Sequence, residues 1–322
     1  MLDFRPPKDS PLLLNFIKLC SPAYKKIGLG GLQLKIQEGA LQRFQKLKGK
    51  RTMVCPNHSN RHDPQTMFFF GQTAGECFNY VAAREVFEWD GGMNGWWLQR
   101  IGAYSVVRGA PDRESFKTTK RILCEGKRKL VLFPEGEISR QNDTLLPLET
   151  GAAQLSFWGL EEVDKQASEE HVYILPVALK YTYTGDIKPK LSETLSVLEE
   201  KLSVTRQPDS KLYQRLMAVA AKLISLLESE YDKKPAKDAT LNDRITSLRE
   251  SILHRMAGYL NVELPKSGKP LDAVRLFRNK IDDFVYEDEG KLSEYERKRH
   301  EEKSAAIKTF YKDLDRVVNF IT

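Results

Sequence analysis

Residues 52–70 read T-M-V-C-P-N-H-S-N-R-H-D-P-Q-T-M-F-F-F, and the fold turns on how this stretch divides. A short apolar run, Thr52 to Cys55, meets Pro56, which has no N–H to give a strand ladder. A polar turn follows, and then an apolar run suited to a buried helix. Polar side chains are thus delivered at the end of a strand. His58 and Asp63 flank that turn. A carboxylate that accepts one imidazole N–H fixes the tautomer and leaves the other ring nitrogen free to take a proton from a hydroxyl. The plainer reading is that Asp63, before Pro64, caps the helix that follows, while His58 is an ordinary loop residue. H-x4-D alone does not choose between the two, so the rest of the chain has to.

The 322 residues, 41% of them hydrophobic, can bury a full core and allow one large domain or a main domain with an appendage. A net charge of +7 favours an acidic partner, but 30% charged residues of both signs make this a bias, not a polybasic patch. Nucleic acid, an anionic membrane surface and an acidic carrier protein all fit that bias. No apolar run approaches the roughly 20 residues that span a bilayer, and Met1 to Ser10 lacks the layout of a signal peptide. A cytoplasmic chain is therefore expected. Cys20, Cys55, Cys77 and Cys124 lie far apart with no C-x-x-C pair, which indicates neither a disulfide framework nor a zinc site, and they are expected to be reduced and mostly buried.

Outward from the opening stretch, strand and helix patterns alternate over residues 30 to 185, the layout of an α/β domain. On the N-terminal side, Pro11 to Leu34 sets Leu12, Leu13, Leu14, Phe16, Ile17 and Leu19 beside Lys18, Lys25 and Lys26, with Pro22 and Gly28, Gly30 and Gly31 expected to break any long helix. An apolar face beside lysines suits an interfacial membrane anchor, and equally a helix packed on the domain's own core. Leu32 to Ile36 alternates as a strand does, and Gly39 to Leu47 reads as a helix. On the C-terminal side, Asn79 to Ala83 and Ala103 to Val107 read as strands, the second delivering Arg108 at its end. Asp112 to Gly126 has the caps and period of a helix. Lys129 to Phe133 reads as a buried strand that runs straight into P-E-G. Ala152 to Trp158 reads as a helix and Val172 to Lys180 as a strand, placed near an edge or a bulge by Pro176.

Beyond Pro189 the pattern becomes helical. Leu212, Leu216, Val219, Leu223 and Leu226 recur at spacings of four and three, as do Leu241, Ile245, Leu248, Ile252, Met256 and Tyr259. Ile307, Phe310, Leu314, Val317 and Ile321 mark a last helix with the charged residues 287 to 303 as its solvated start. The expected organisation is a membrane-contacting segment over 1–30, an α/β domain over 31–190 and an all-helical region over 191–322 that holds no catalytic constellation.

Four segments of the first half end in polar residues at strand termini, and the order of these motifs resembles the glycerolipid acyltransferases of the lysophosphatidic-acid acyltransferase type. N-H-S-N-R-H-D (57–63) matches that family's N-H-x4-D, G-A-Y-S-V-V-R (102–108) its G-x5-R, F-P-E-G (133–136) its third motif, and I-L-P-V-A-L (174–179) its apolar strand with a central proline. V-A-A-R-E-V-F (81–87) and L-P-L-E-T-G-A-A (146–153) look like smaller family blocks between them. The resemblance implies an acyltransferase-like sheet with flanking helices. It also implies transfer from acyl-CoA or acyl carrier protein to a hydroxyl of a glycerolipid, lysophosphatidic acid or another lysophospholipid, with no metal, no cofactor and no covalent enzyme intermediate. His58 with Asp63 would be the base. Asn57, Arg108, Glu135 and Gly136 would contact substrate: Arg108 as a fork for the acceptor's phosphate, Glu135 by analogy, and Gly136 through backbone N–H groups for the oxyanion. The partners expected are then a membrane surface with its lysolipid and the acyl donor, not nucleic acid, and the location is cytoplasmic with peripheral membrane association.

The departures are specific. Where the family reads F-P-E-G-T-R-S, this chain reads F-P-E-G-E-I-S-R, and the lysine of the family's L-P-F-K is Glu149. Two positive charges near the implied phosphate site are missing and two negative ones stand there, with Arg140 one turn late. Two other readings compete. His62-Asp63 would be a metal-binding pair as in metal-dependent phosphohydrolases, but His171, His254 and His300 sit in unrelated contexts. Alternatively the chain is a non-catalytic scaffold whose helical half binds a partner or membrane.

Overall fold

The computed structural model describes residues 3–166, 169–285 and 293–321, and the chain divides into two compact units, Leu2–Lys180 and Tyr181–Thr322. In the first, helices and strands alternate: α1 (Pro11–Ile27), α2 (Ala40–Gln45), β1 (Arg51–Pro56), α3 (Asp63–Ala74), β2 (Phe78–Ala83), a 3₁₀ segment (Arg84–Gly92), α4 (Met93–Arg100), β3 (Ala103–Val106), α5 (Arg113–Glu125), β4 (Lys129–Val131), α6 (Gly151–Asp164) and β5 (Val172–Val177). The five strands form one sheet in the order β3-β2-β4-β1-β5, every pair parallel. Parallel strands need crossover connections, and the intervening helices cover both sheet faces. Neighbouring residues accordingly enter different cores. Val54 and Val131 pack with Phe44, Met67 and Phe78, while Met53 and Leu130 pack with Tyr104, Ile122 and Leu123.

β5 lies at an edge of the sheet, where the missing N–H of Pro176 leaves an outer position unpaired instead of breaking a central ladder. β3 begins behind Gly102, whose φ of 93° is open to glycine, and a Cβ there would stand within 2.9 Å of Asn79 Nδ2 and Arg128 Nη1. That turn sets the start of the strand that ends beside Arg108. Leu32 to Ile36, expected as a strand, is irregular, since alternation marks a suitable segment but a ladder also needs a partner.

Residues 3–30 cluster with the first unit. Ser10 caps α1, and the helix passes through Pro22 instead of stopping there. The proline removes the backbone donor that would pair with the Lys18 carbonyl, and one residue earlier the Ser21 hydroxyl donates to the Ile17 carbonyl at 2.8 Å. Leu14 and Ser21 face inward; Leu12 and Ile27 remain 85% and 84% exposed. Of the cysteines only Cys124 is fully buried, and Cys20 is exposed.

The second unit contains α7 (Lys188–Lys201), α8 (Leu212–Glu230), α9 (Leu241–Leu260), α10 (Pro270–Val285) and α11 (Glu294–Ile321). α7 and α10 were not foreseen, although Val274, Phe277 and Ile281 carry the helical period of α10 into the core. The core-facing side of α8 is Val219, Ile224 and Leu227, whereas Leu216, Leu223 and Leu226 of the expected stripe stay exposed. Two overlapping apolar stripes run along that helix, and the sequence pattern favoured the outer one. α11 begins within the charged run, of which residues 287–292 lie outside the described ones.

Candidate active site

Because every strand pair is parallel, the carboxyl ends of all five strands open on one edge of the sheet, where ligands bind in open α/β folds. The segments leaving those ends carry His58 and Asp63 after β1, Glu85 after β2, Arg108 after β3, Glu135 to Ser139 after β4 and Leu179 after β5.

His58 is held from four sides. Its backbone N–H donates to Glu135 Oε1 at 2.6 Å, and its carbonyl accepts from Ser139 N at 2.7 Å. The ring stacks on Phe133 with centroids 4.2 Å apart, and Nδ1 lies 2.9 Å from Asp63 Oδ2. Asp63 is completely buried, and the same oxygen accepts from Asn60 N at 2.8 Å. It opens α3, where unpaired helix N–H groups favour a carboxylate. Asp63 is thus the first helical residue and not the cap that the plainer reading expected: the N-cap position is His62, no side-chain cap bond forms there, and the carboxylate is engaged by His58 and Asn60 N. An ionised carboxylate can only accept, which assigns the proton to Nδ1 and the lone pair to Nε2.

His62, four residues on, is different. Its Nε2 accepts from Arg61 Nε at 3.2 Å, and burial, followed by the Arg61 charge, lowers its pKa below that of an ordinary histidine. Its position leaves Asp63 to His58. Among the described residues, no group of three or more His, Cys, Asp or Glu side chains is placed to hold a metal ion.

The other expected site residues are engaged with the protein itself. The Asn57 amide donates to Leu179 O at 3.0 Å and accepts from Leu179 N at 2.5 Å, tying the end of β1 to the end of β5. Glu135, 1% exposed, accepts from Leu146 N at 2.8 Å as well as from His58, so it clamps two loops. Gly136 has φ of 69° and its N–H donates to Phe133 O at 3.1 Å, so an oxyanion could use this donor only if that turn opened. Arg108 donates through Nη1 to Gly136 O at 2.8 Å and forms ion pairs with Glu85 and Glu137. Arg140 and Glu149 are exposed. Sequence reasoning did not single out Glu85, Phe133, Ser139 or Leu146. Three of them act through a ring face or a backbone N–H, which no residue pattern reports; Glu85 stood inside a quoted block without a role.

Residues 35–180 match the sequence model of the acyltransferase family. Over this segment, which is less than half of the chain, the sequence is similar to the acyltransferase family. It is 30% identical over 138 residues to the 1-acyl-sn-glycerol-3-phosphate acyltransferase of Streptococcus pneumoniae (strain ATCC BAA-255 / R6), an alignment covering 43% of this chain and 43% of that relative. The chain thus spans less than half the length of the relative it matches. No solved structure matches it. The matched segment contains the whole sheet and every residue of the cluster just described.

Proposed function

We propose that the chain is an O-acyltransferase that moves a fatty acyl group from a thioester, acyl-CoA or acyl carrier protein, to a hydroxyl of a glycerolipid acceptor. The buried Asp63 carboxylate against His58 Nδ1 carries this reading. A hydroxyl is a weak nucleophile near neutral pH. His58 Nε2 takes its proton as the oxygen attacks the thioester carbonyl; the C–O bond forms, the C–S bond breaks, and the imidazolium returns the proton to the departing thiolate. Asp63 stabilises the imidazolium without being protonated itself. Glu135 and Phe133 keep the ring in place from the backbone and from one face. The similarity to the family and the name of the relative support acyl transfer as the reaction class. The test is release of free thiol from acyl-CoA and from acyl carrier protein by the purified chain with a series of lysophospholipids and a monoacylglycerol, with the esterified product identified by mass spectrometry. No thiol release with any pairing would overturn the proposal and leave a non-catalytic scaffold.

The substrates are amphiphiles, and no helix among the described residues is long and apolar enough to cross a membrane, so we propose contact from the surface through α1. Its outward side carries Leu12, Phe16, Leu19 and Ile27, with Lys26 beside them; Lys18 follows the line of Leu14 and Ser21 and lines a cleft with Gln72 and Glu76, and Lys25 lies over the Phe69 ring at 4.4 Å. Each lysine near an anionic surface contributes about 1 kcal/mol, so binding should strengthen on anionic vesicles and weaken with salt. In vesicle sedimentation, Leu12→Ser with Leu19→Ser should lower the bound fraction several-fold. Undiminished binding by that variant would place the contact elsewhere.

A further inference from the structure

The charge around Arg108 is the feature that the proposed reaction leaves unexplained. Its guanidinium is paired with Glu85, from the 3₁₀ segment after β2, and with Glu137, from the turn after β4. All three side chains are mostly buried. The Arg108 cation already faces two carboxylates, where a phosphate-binding site would need positive charge to spare.

Glu137 is not a surface acid that has drifted onto an arginine. Two residues before it, Glu135 is clamped by His58 N and Leu146 N; two residues after it, Ser139 N donates to His58 O at 2.7 Å. Between those points Gly136 closes the turn through its bond to Phe133 O and offers its own carbonyl to Arg108. Glu137 is therefore fixed to the loop that fixes His58. The other departures in charge, Arg140 and Glu149, are exposed. A dianionic phosphate that approached Arg108 would have to compete with both carboxylates and would leave at least one of them desolvated without its cation. That is discrimination by an unpaired charge, which rejects one ligand class without improving contacts to another.

Resting on the acyl-transfer reading, we infer that Glu137, with Glu85, closes Arg108 to phosphomonoesters, so that the acceptor is a glycerolipid whose head group is neutral overall, either a zwitterionic phosphodiester or an uncharged alcohol. Equilibrium binding tests this independently of turnover. Isothermal titration would use three soluble probes of one chain length, below their aggregation limits: hexanoyl lysophosphatidate, hexanoyl lysophosphatidylethanolamine and hexanoyl glycerol. The wild-type chain should bind at least one of the two neutral probes ten-fold or more tighter than lysophosphatidate, and which of the two distinguishes the head groups. Glu137→Gln and Glu137→Thr should each narrow that ratio about ten-fold by gaining affinity for lysophosphatidate. Circular dichroism checks that the variants fold, and the wild-type ratio decides alone if they do not. Lysophosphatidate bound by the wild type as tightly as both neutral probes, or an unchanged ratio in folded variants, overturns the inference. Thiol release measured in parallel separates the two claims: its absence with an intact binding preference would sink acyl transfer and not the head-group selection.

Discussion

His58→Ala is expected to lower turnover by about 10²–10⁴-fold while leaving the fold and donor binding nearly as they are. The size follows from what is lost: a positioned base, not a binding contact. Alanine keeps the backbone N–H that donates to Glu135 and the carbonyl that accepts from Ser139, so both loop anchors survive. Asp63 keeps its bond from Asn60 N. Asp63→Asn should cost heavily for a related reason, because an amide neither carries the charge that stabilises an imidazolium nor enforces the Nδ1–H tautomer. His62→Ala should be mild, since that ring pairs with Arg61 and its lowered pKa comes from burial and that neighbour. Single-turnover thiol release with the three variants is the measurement. Equal losses at His58 and His62 would remove His58 from the chemistry.

The sequence exposed this pair because its signal is local: a strand, a proline, a polar turn and a helix start fit within Arg51 to Ala74. The alternation of strands and helices was legible for the same reason, and so was the edge position of β5, which Pro176 announces through a missing donor. Strand order was not legible, since β4 lies between β1 and β2 only by virtue of crossovers that no local pattern encodes. Side-chain partners across loops were equally hidden. Glu137 appeared in the sequence as a missing threonine and a wrong charge; only the convergence of the ends of β2, β3 and β4 makes it a partner of Arg108 beside Glu85. Periodicity also failed where two stripes overlap. In α8 the outer stripe, with Leu216 51% exposed, keeps the four-and-three spacing that the inner residues Val219, Ile224 and Leu227 do not.

Glu135→Ala should reduce both stability and turnover, and the balance between kcat and KM will assign the residue's role. The carboxylate accepts two backbone N–H groups, from His58 at 2.6 Å and Leu146 at 2.8 Å, from a position that is 1% exposed. Leaving a buried donor unsatisfied costs about 1–3 kcal/mol, so losing both should lower Tm by several degrees. The same loss frees the loop that carries His58. A base displaced by even an ångström loses its near-attack geometry, so kcat should fall about 10²-fold while the acceptor KM changes little. Glu135→Gln keeps one acceptor oxygen but turns an NH₂ toward the second N–H, and should fall between wild type and alanine in both Tm and kcat. A carboxylate that instead lined the acceptor site, as the family resemblance implies, would behave differently: both variants would raise the acceptor KM with Tm nearly unchanged. Melting curves with steady-state kinetics on the two variants distinguish a clamp behind the base from a contact with the substrate, because only the clamp makes stability and kcat fall together.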